Sequence, residues 1–529
     1  MSSSLGRQSA GGSDDGGVLA RNEPGAAAGG QPFNLARYCL GAQVDPAKPA
    51  LIVAEGPQGR IVETWSYGAL REAVARAAGG FGAYGLPPGT RVLLRVGNTS
   101  AFPLMFFGAI AAGLAPIPTS TMLTGHEVDL ILADSGARLV VGDGSGAMPS
   151  QAGEAILLGP ADMERLTAAA PAPFAATDAE DLAFLVYTSG TSGRPKGVAH
   201  AQRVALGRRP MREGWLGISA ADRLFHAGAF NWTYTLGCGL MDPWSVGATS
   251  IVHLGERPPQ AWPDLLEATG ATLFAAVPGL YRRILKYAAV GPSRFPALRH
   301  GLTAGEALKP PLHRAWVDAT GRALFEALGM SEISTYVSSG PTVPTRPGSP
   351  GKPQAGRRVA ILPQEGTGEG AVAPLPAGES GLIAVHRSDP GLMLGYWGLP
   401  QETAAVMRGD WFLTGDLAHF DPDGYLWYEG RADDQMNAFG YRVAPEEVER
   451  ALVAHPQVAE VAVKEVRTGD VSVITAFVVL AEGAQADPQA LEHHAAARLA
   501  DYKRPRAFVF VKELPHTASG KVMRRALGS

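Results

Sequence analysis

The sequence predicts an α/β protein: a large N-terminal domain of mixed, largely parallel sheets with flanking helices, and a smaller C-terminal α+β domain. Three observations lead there. The chain has 529 residues, more than one ordinary hydrophobic core serves. Short apolar runs alternate with helical apolar stripes, the rhythm of βαβ units and a parallel sheet. The stretch after about residue 432 is long enough for a compact unit of its own. The expected divisions are a disordered tail at 1–30, a large domain at 31–432 and a small one at 433–529.

Composition narrows the class. A hydrophobic content of 46% and a charged content of 18% describe a soluble globular chain. The net charge of −4, with both signs mixed, gives no electrostatic reason to expect nucleic acid or a membrane surface as partner. Two cysteines, Cys39 and Cys238, are too few for a disulfide framework. They point to a reducing, cytoplasmic setting and read as small buried apolar side chains. Residues 1–30 are rich in Gly, Ser and Ala and lack the apolar core of a signal peptide. The longest apolar run, Phe102 to Ile117, is broken by Pro and Gly and falls short of a membrane span. It reads as a buried helix followed by a strand.

Taken in order, Gly68 to Tyr84 carries Leu70, Val74, Ala77, Ala78 and Phe81 at helical spacing. Arg91–Val96 reads as a strand, and Leu130–Val141 as a helix end, a turn and a strand. Gly142 to Ala179 reads as loop. Leu182–Val186 is a buried strand, Thr272–Pro278 another, and Gly279 to Ala289 a helix. His300–Leu308 is a strand running into a Gly turn. Pro445–Leu452 begins a helix with proline and acids in its first turn, and Val458–Val463 and Ile474–Leu480 read as strands.

One loop bears the first chemical signal. Tyr187-Thr-Ser-Gly-Thr-Ser-Gly-Arg-Pro-Lys-Gly197 supplies close-approach glycines, N–H and O–H donors and a lysine, which together wrap an anion. It is not the common nucleotide loop, because Gly197 follows Lys196 and Pro195 precedes it. On its residues alone it is equally a flexible polar turn. Further stretches stand out: Gly305-Glu306-Ala307, Leu324–Glu332, Trp411–Leu417, Gly430–Arg442, and Leu514-Pro-His-Thr-Ala-Ser-Gly-Lys-Val-Met-Arg-Arg525. Alone, Glu332 reads as an exposed glutamate at a helix start capped by Ser331, and Lys521 as part of a mobile basic tail. His226 reads as a hydrogen-bonded core histidine, and Phe230 and Trp232 as core or pocket wall alike.

In order and wording these stretches resemble the adenylate-forming superfamily of acyl-CoA synthetases, luciferases and peptide-synthetase adenylation domains. The likeness is greatest to AMP-forming medium-chain or aryl acyl-CoA synthetases. It implies ATP, Mg2+ and coenzyme A as cofactor and co-substrates, and a small-molecule carboxylic acid. It implies that Thr188, Ser189, Gly190, Thr191, Ser192, Gly193 and Lys196 hold the terminal phosphates, with Thr191 near the chemistry. Gly305, Glu306, Ala307, Leu328, Gly329, Met330 and Ser331 would frame the adenine, Glu332 the metal, Asp416 the ribose and Arg431 the ribose or phosphate. Asp433 would be the hinge of a mobile C-terminal domain, and Phe439, Gly440 and Tyr441 the passage for CoA. Lys521 would bridge carboxylate and α-phosphate, with Arg442 on phosphate. His226, Phe230, Trp232 and Gly329 would line the acyl pocket. The chain departs from the family in carrying Ser331 for threonine and Leu328 for an adenine-stacking aromatic. Acetate-restricted relatives have tryptophan at the place of Gly329, so the glycine implies room for a medium-chain, branched or aromatic acid.

The implied reaction is acyl-AMP formation followed by transfer to CoA. The alternatives are an acyl-AMP ligase serving a carrier protein and an inactive acyl- or nucleotide-binding relative. Asn231, where amino-acid-activating domains usually carry aspartate, speaks against an amino acid. The oligomeric state, monomer or homodimer, stays open.

Overall fold

In the computed structural model the described residues are 32–189, 195–364, 373–432, 436–438, 441–443, 445–468, 471–499, 503–516 and 522–528. The alternating rhythm closes into a nine-stranded sheet. Its order is Lys352–Pro353, Ser334–Ser338, Ala323–Met330, His300–Ala304, Leu273–Ala276, Arg223–His226, Thr249–Leu254, Pro49–Glu55 and Arg60–Ser66. From Ala323–Met330 across to Pro49–Glu55 every neighbouring pair is parallel, and the strands beyond either end are antiparallel. Parallel strands need crossovers, and helices Trp262–Thr269, Pro278–Tyr287 and Pro310–Thr320 supply them. Each carries proline in its first turn, where the missing N–H costs nothing. Their buried aromatics interlock: the Tyr281 ring stands edge-on to Trp316 at 4.7 Å and to Phe274 at 5.3 Å.

A second, all-parallel sheet orders Ala115–Pro118, Arg91–Arg95, Leu139–Gly142 and Ile156–Leu158. Between the two sheets lies helix Ala101–Ala111, buried from Phe102 to Ala111, which is why its sequence is apolar all round. A Cβ on its Gly108 would stand 2.5 Å from Ala77 Cβ, so the glycine lets helix Tyr67–Gly82 approach. Phe107 meets Trp244 at 5.2 Å and joins the layers. The loop expected over Gly142 to Ala179 is instead partly regular, with strand Ile156–Leu158 and helix Pro160–Ala168. The strand is a short edge whose Ile156 and Leu157 stay exposed, and the helix buries only Met163 and Leu166. Neither leaves a strong apolar period.

Two antiparallel units complete the large part. Leu182–Ser189 pairs with Pro195–Ala201, and Gly395–Tyr396 adds on Pro195–Ala201. Val359–Leu362, Gly381–His386, Trp411–Phe420, Met407–Arg408 and Leu426–Arg431 make the other. Residues from Met436 onward build cores of their own from helices Pro445–Val453 and Pro488–Ala496 on strands Val458–Thr468, Val471–Leu480 and Ala507–Phe510. Strand Val458–Thr468 runs beyond the Val463 end expected from its apolar residues, because its polar second half still pairs with Val471–Leu480. Both cysteines are buried and unbridged, and burial pushes the Cys39 thiol up to about 12. No described helix is long and apolar enough to cross a membrane.

Trp244 is fully buried, packs on Phe107 and donates its indole N–H to Ala50 O at 2.8 Å. Trp244→Ala is expected to cost about 3–5 kcal/mol, read as a lower denaturant midpoint. A midpoint within error of wild type would show that this junction does not hold the sheets together.

Candidate active site

Parallel strands bring their carboxyl ends to one rim, where open α/β sheets take ligands. Registers Ala275↔His226, Ala276↔Thr303 and Ala304↔Ala327 place His226, the turn Gly305–Ala307 and the segment Leu328–Glu332 along that rim. Gly305 has φ +94, left-handed backbone that favours glycine. Glu306 is half-buried, and Gly305 and Ala307 are exposed. The turn is fastened from below by Glu326, whose Oε1 accepts from Leu308 N at 2.7 Å. Burial pushes the Glu326 carboxyl up to about 8, so it is a neutral strut near pH 7.

The acidic motif turns back on itself as Ala323–Met330 pairs with Ser334–Ser338. A Cβ on Gly329 would stand 2.4 Å from Ser334 O and 2.6 Å from Thr335 Cα. The glycine therefore permits a close backbone approach, and the room for a larger acid inferred from its missing side chain does not follow. Leu328 and Met330 are half-buried and pack with Ile333 and Tyr336. Ser334 has φ 71, the single positive φ outside glycine among the described residues. Arg208 Nη1 donates to Ser334 Oγ at 2.5 Å, while Nε and Nη2 donate to Asp242 at 2.8 and 2.6 Å.

Glu332, beside the half-buried Ser331, is 8% exposed. Its Oε1 accepts from Tyr396 Oη at 2.9 Å. The Tyr396 ring lies 5.3 Å from Lys196 Nζ, and Lys196 also ion-pairs with Glu402. Burial first, then the Glu332 charge, raises the Tyr396 hydroxyl above its ordinary range, so it stays a donor. Lys196 is held on strand Pro195–Ala201 opposite Thr188, with Ser189 opposite Pro195. The hairpin's tip residues Gly190, Thr191, Ser192 and Gly193 lie outside the described residues. Its base is anchored by Tyr187 Oη, which donates to Asp134 Oδ2 at 2.5 Å.

Asp416 is 7% exposed. It sits opposite Arg431 in register, and its Oδ1 accepts from Tyr428 Oη at 3.2 Å and Arg431 Nη1 at 3.4 Å. Tyr336 is fully buried and within electrostatic reach of both acidic residues. Burial, then the charges of Asp416 and Glu332, raise its hydroxyl, so both carboxylates act on one buried ring.

His226 is buried with Nδ1 accepting from Gly228 N at 2.9 Å, and burial pushes its pKa down to about 3. It is a neutral imidazole at the rim. Phe230 stacks on Phe102 at 4.8 Å inside the core, and its N–H donates to Asn98. Trp232 is half-buried at the start of helix Thr233–Leu236. Tyr441 and Arg442 lie in strand Tyr441–Val443, paired with Met436–Ala438. Asp433, Phe439, Gly440 and Lys521 lie outside the described residues, although the bridge His516↔Val522 closes the chain on either side of the stretch that contains Lys521. Tyr396, Glu402, Tyr336 and Glu326 escaped the sequence reading, since each acquires its meaning from a partner distant in the chain.

The AMP-binding enzyme family model matches residues 41–397, and the AMP-binding enzyme C-terminal domain model matches 447–521. The chain belongs to the AMP-binding enzymes. Among similar proteins, the 3-hydroxybenzoate–CoA ligase of Aromatoleum sp. (strain CIB) is 32% identical over 483 residues, 87% of this chain and 90% of that protein. The solved benzoate CoA ligase from Burkholderia xenovorans LB400 superposes with a TM-score of 0.82 at 30% identity, covering 93% of this AMP-binding enzyme and 99% of that chain. The ATP-bound MatB from Rhodopseudomonas palustris gives 0.84 at 28% identity, covering 94% and 98%. The α/β reading with a large sheet-rich part and a smaller C-terminal part agrees with these likenesses.

Glu326 gives a pH prediction. Its folded pKa is raised from 4.5 to about 8, so between those values the folded chain keeps a proton that the unfolded chain has lost. Its contribution is complete below the unfolded pKa and is lost as pH rises through the folded one. Glu326→Gln, neutral at every pH, is expected to lose less unfolding free energy than wild type between pH 5 and 8. Equal losses would contradict a protonated Glu326.

Proposed function

We propose that this chain is an AMP-forming carboxylic acid–CoA ligase. It adenylates a carboxylic acid with ATP and passes the acyl group to CoA. The observation that carries this reading is the contact series Lys196–Tyr396–Glu332, together with the Asp416–Arg431 pair, whose carboxylate acts with Glu332 on the buried Tyr336 hydroxyl. The similar benzoate and 3-hydroxybenzoate ligases support an aromatic acid, and the ACSM acyl-coenzyme A synthetases, equally similar at 31–33% identity, support a medium-chain one.

The roles follow from the chemistry of each side chain. Thr188, Ser189 and Lys196 would present donors and a positive charge to the terminal phosphates. Asp416, its Oδ1 held by Tyr428 and Arg431, would accept the ribose hydroxyls. Magnesium keeps phosphate oxygens and water among its ligands, so it needs few protein carboxylates, and the described residues hold no cluster of three or more His, Cys, Asp or Glu. Glu332, buried and oriented by Tyr396, suits that need; the ion would supply charge neutralisation at the phosphates. The acid's carboxylate would attack the α-phosphorus, forming acyl-AMP and releasing pyrophosphate. Lys521 would offset the charge of the two anions as they meet. The CoA thiol would then attack the acyl carbonyl, and AMP would leave.

We place the domain division at 31–432 and 433–529, with Asp433 as hinge, a reading supported by the separate cores built from Met436 onward. Rotation about it would exchange Lys521 for the Phe439–Tyr441 segment between half-reactions. Two unbridged thiols support a cytoplasmic setting.

Lys521→Ala is expected to abolish acid-dependent ATP–pyrophosphate exchange while leaving thioester formation from supplied acyl-AMP within about threefold of wild type, since only the first step asks for its charge. Equal loss of both steps would overturn the two-conformation reading.

A further inference from the structure

Among the described residues Lys196 meets one carboxylate directly, that of Glu402, and its other contact is the Tyr396 ring, 5.3 Å from Nζ. The Glu402 oxygen that faces Lys196, Oε2, is enclosed and takes no hydrogen bond from any other described residue.

Local structure does not ask for an acid at this place. Glu402 lies in the first turn of the short helix Pro400–Ala405. It does not reach back to the start of that helix, because Leu399 N–H donates to Tyr396 O instead. The residue that fastens the turn is its neighbour. Thr403 Oγ1 accepts from Tyr396 N–H at 2.9 Å and donates to Leu399 O at 2.9 Å. A Cβ on Gly395 would stand 2.9 Å from Thr403 Cγ2, so the turn lies close on strand Gly395–Tyr396. Thr403 therefore fixes where Glu402 stands relative to Tyr396, and with it relative to Lys196.

The charge has a use in turnover. The Lys196 side chain is 22% exposed, and a cation so covered is destabilised when it loses its counter-ion. If Lys196 holds the terminal phosphates, that loss recurs whenever pyrophosphate leaves. Glu402, fixed beside it, takes the ammonium over, and its negative charge opposes the return of the phosphates. Glu402 is itself 42% exposed, so water solvates its carboxylate while the phosphates are bound.

We propose that Glu402 is a positioning residue for pyrophosphate release. It captures Lys196 from the departing group and so keeps the hold on pyrophosphate weak. The proposal rests on the ligase reading above.

The test measures the Kd of ATP and of AMP by calorimetry on the full chain with Mg2+, and the Ki of pyrophosphate by its competition with ATP. Glu402→Gln keeps the size and removes the charge. It is expected to lower the ATP Kd and the pyrophosphate Ki about threefold, the scale of a half-exposed ion pair. The Kd of AMP, which has no terminal phosphates, should not move. Glu402→Ser, a second neutral side chain, should act in the same direction, and Glu402→Asp, which keeps the charge, should stay nearer wild type. An unchanged or weaker hold on pyrophosphate in the neutral variants overturns the proposal. An equal shift for AMP, or loss of folding in both neutral variants, overturns it too and gives Glu402 a structural role in the turn. A wild-type chain that binds no ATP, and releases no AMP with benzoate or hexanoate, would overturn the ligase reading and this proposal together.

Discussion

Two groups of opposite charge, Lys196 and Glu332, meet on one side chain, Tyr396, which holds them apart. Lys196 and Glu332 attract each other, and a direct ion pair would leave neither free for a ligand. Tyr396 prevents that by giving its hydroxyl to Glu332 and its ring face to the Lys196 ammonium. Glu402 takes the remaining charge of Lys196. That last pair is 22% and 42% exposed, a setting in which ion pairs are weak and readily exchanged. A polyphosphate, with more charge and better geometry, would displace Glu402 from Lys196 without disturbing Glu332.

The position of Tyr396 is itself imposed. Arg357 is paired with Asp389 in near-complete burial and also donates to Gly207 O. Arg203 Nη1 donates to Pro390 O and Leu392 O at 2.7 and 2.8 Å. These contacts bind the approach to Tyr396 onto the segment that follows the hairpin of Leu182–Ser189 and Pro195–Ala201. Arg208 and Asp242 do the same for the far side of the acidic turn, where Ser334 is held in a left-handed conformation. Buried ion pairs add little net stability over an apolar packing, but removing one partner is costly. Their consequence here is geometric: three stretches distant in sequence have one arrangement at the rim.

What the sequence disclosed follows from that geometry. Helix Ala101–Ala111 was legible because burial on all sides writes itself as an uninterrupted apolar run. The Tyr187–Gly197 and Leu324–Glu332 stretches stood out because each sets glycines, hydroxyls and a charged side chain in one short local order. Strand Ile156–Leu158, a three-residue edge, had no pattern to show. Tyr396 and Glu326 were silent because a hydrogen bond across 64 or 18 positions leaves no local mark. Gly329 misled because a missing side chain has two causes, an open pocket or a crowded backbone, and the Ser334 carbonyl decides for the second. Phe230, a pocket wall or core by sequence, went to the core once Phe102 stacked on it.

If Lys196, Glu332, Asp416 and Arg431 serve one nucleotide, the acid must meet the α-phosphorus of ATP, and that event leaves an isotopic record. With a carboxylic acid labelled with oxygen-18 in its carboxylate, turnover with ATP, Mg2+ and CoA is expected to place one labelled oxygen in AMP, because the oxygen that attacks phosphorus leaves with it when the thiol takes the acyl carbon. Unlabelled AMP, or ADP in place of AMP, would contradict the account.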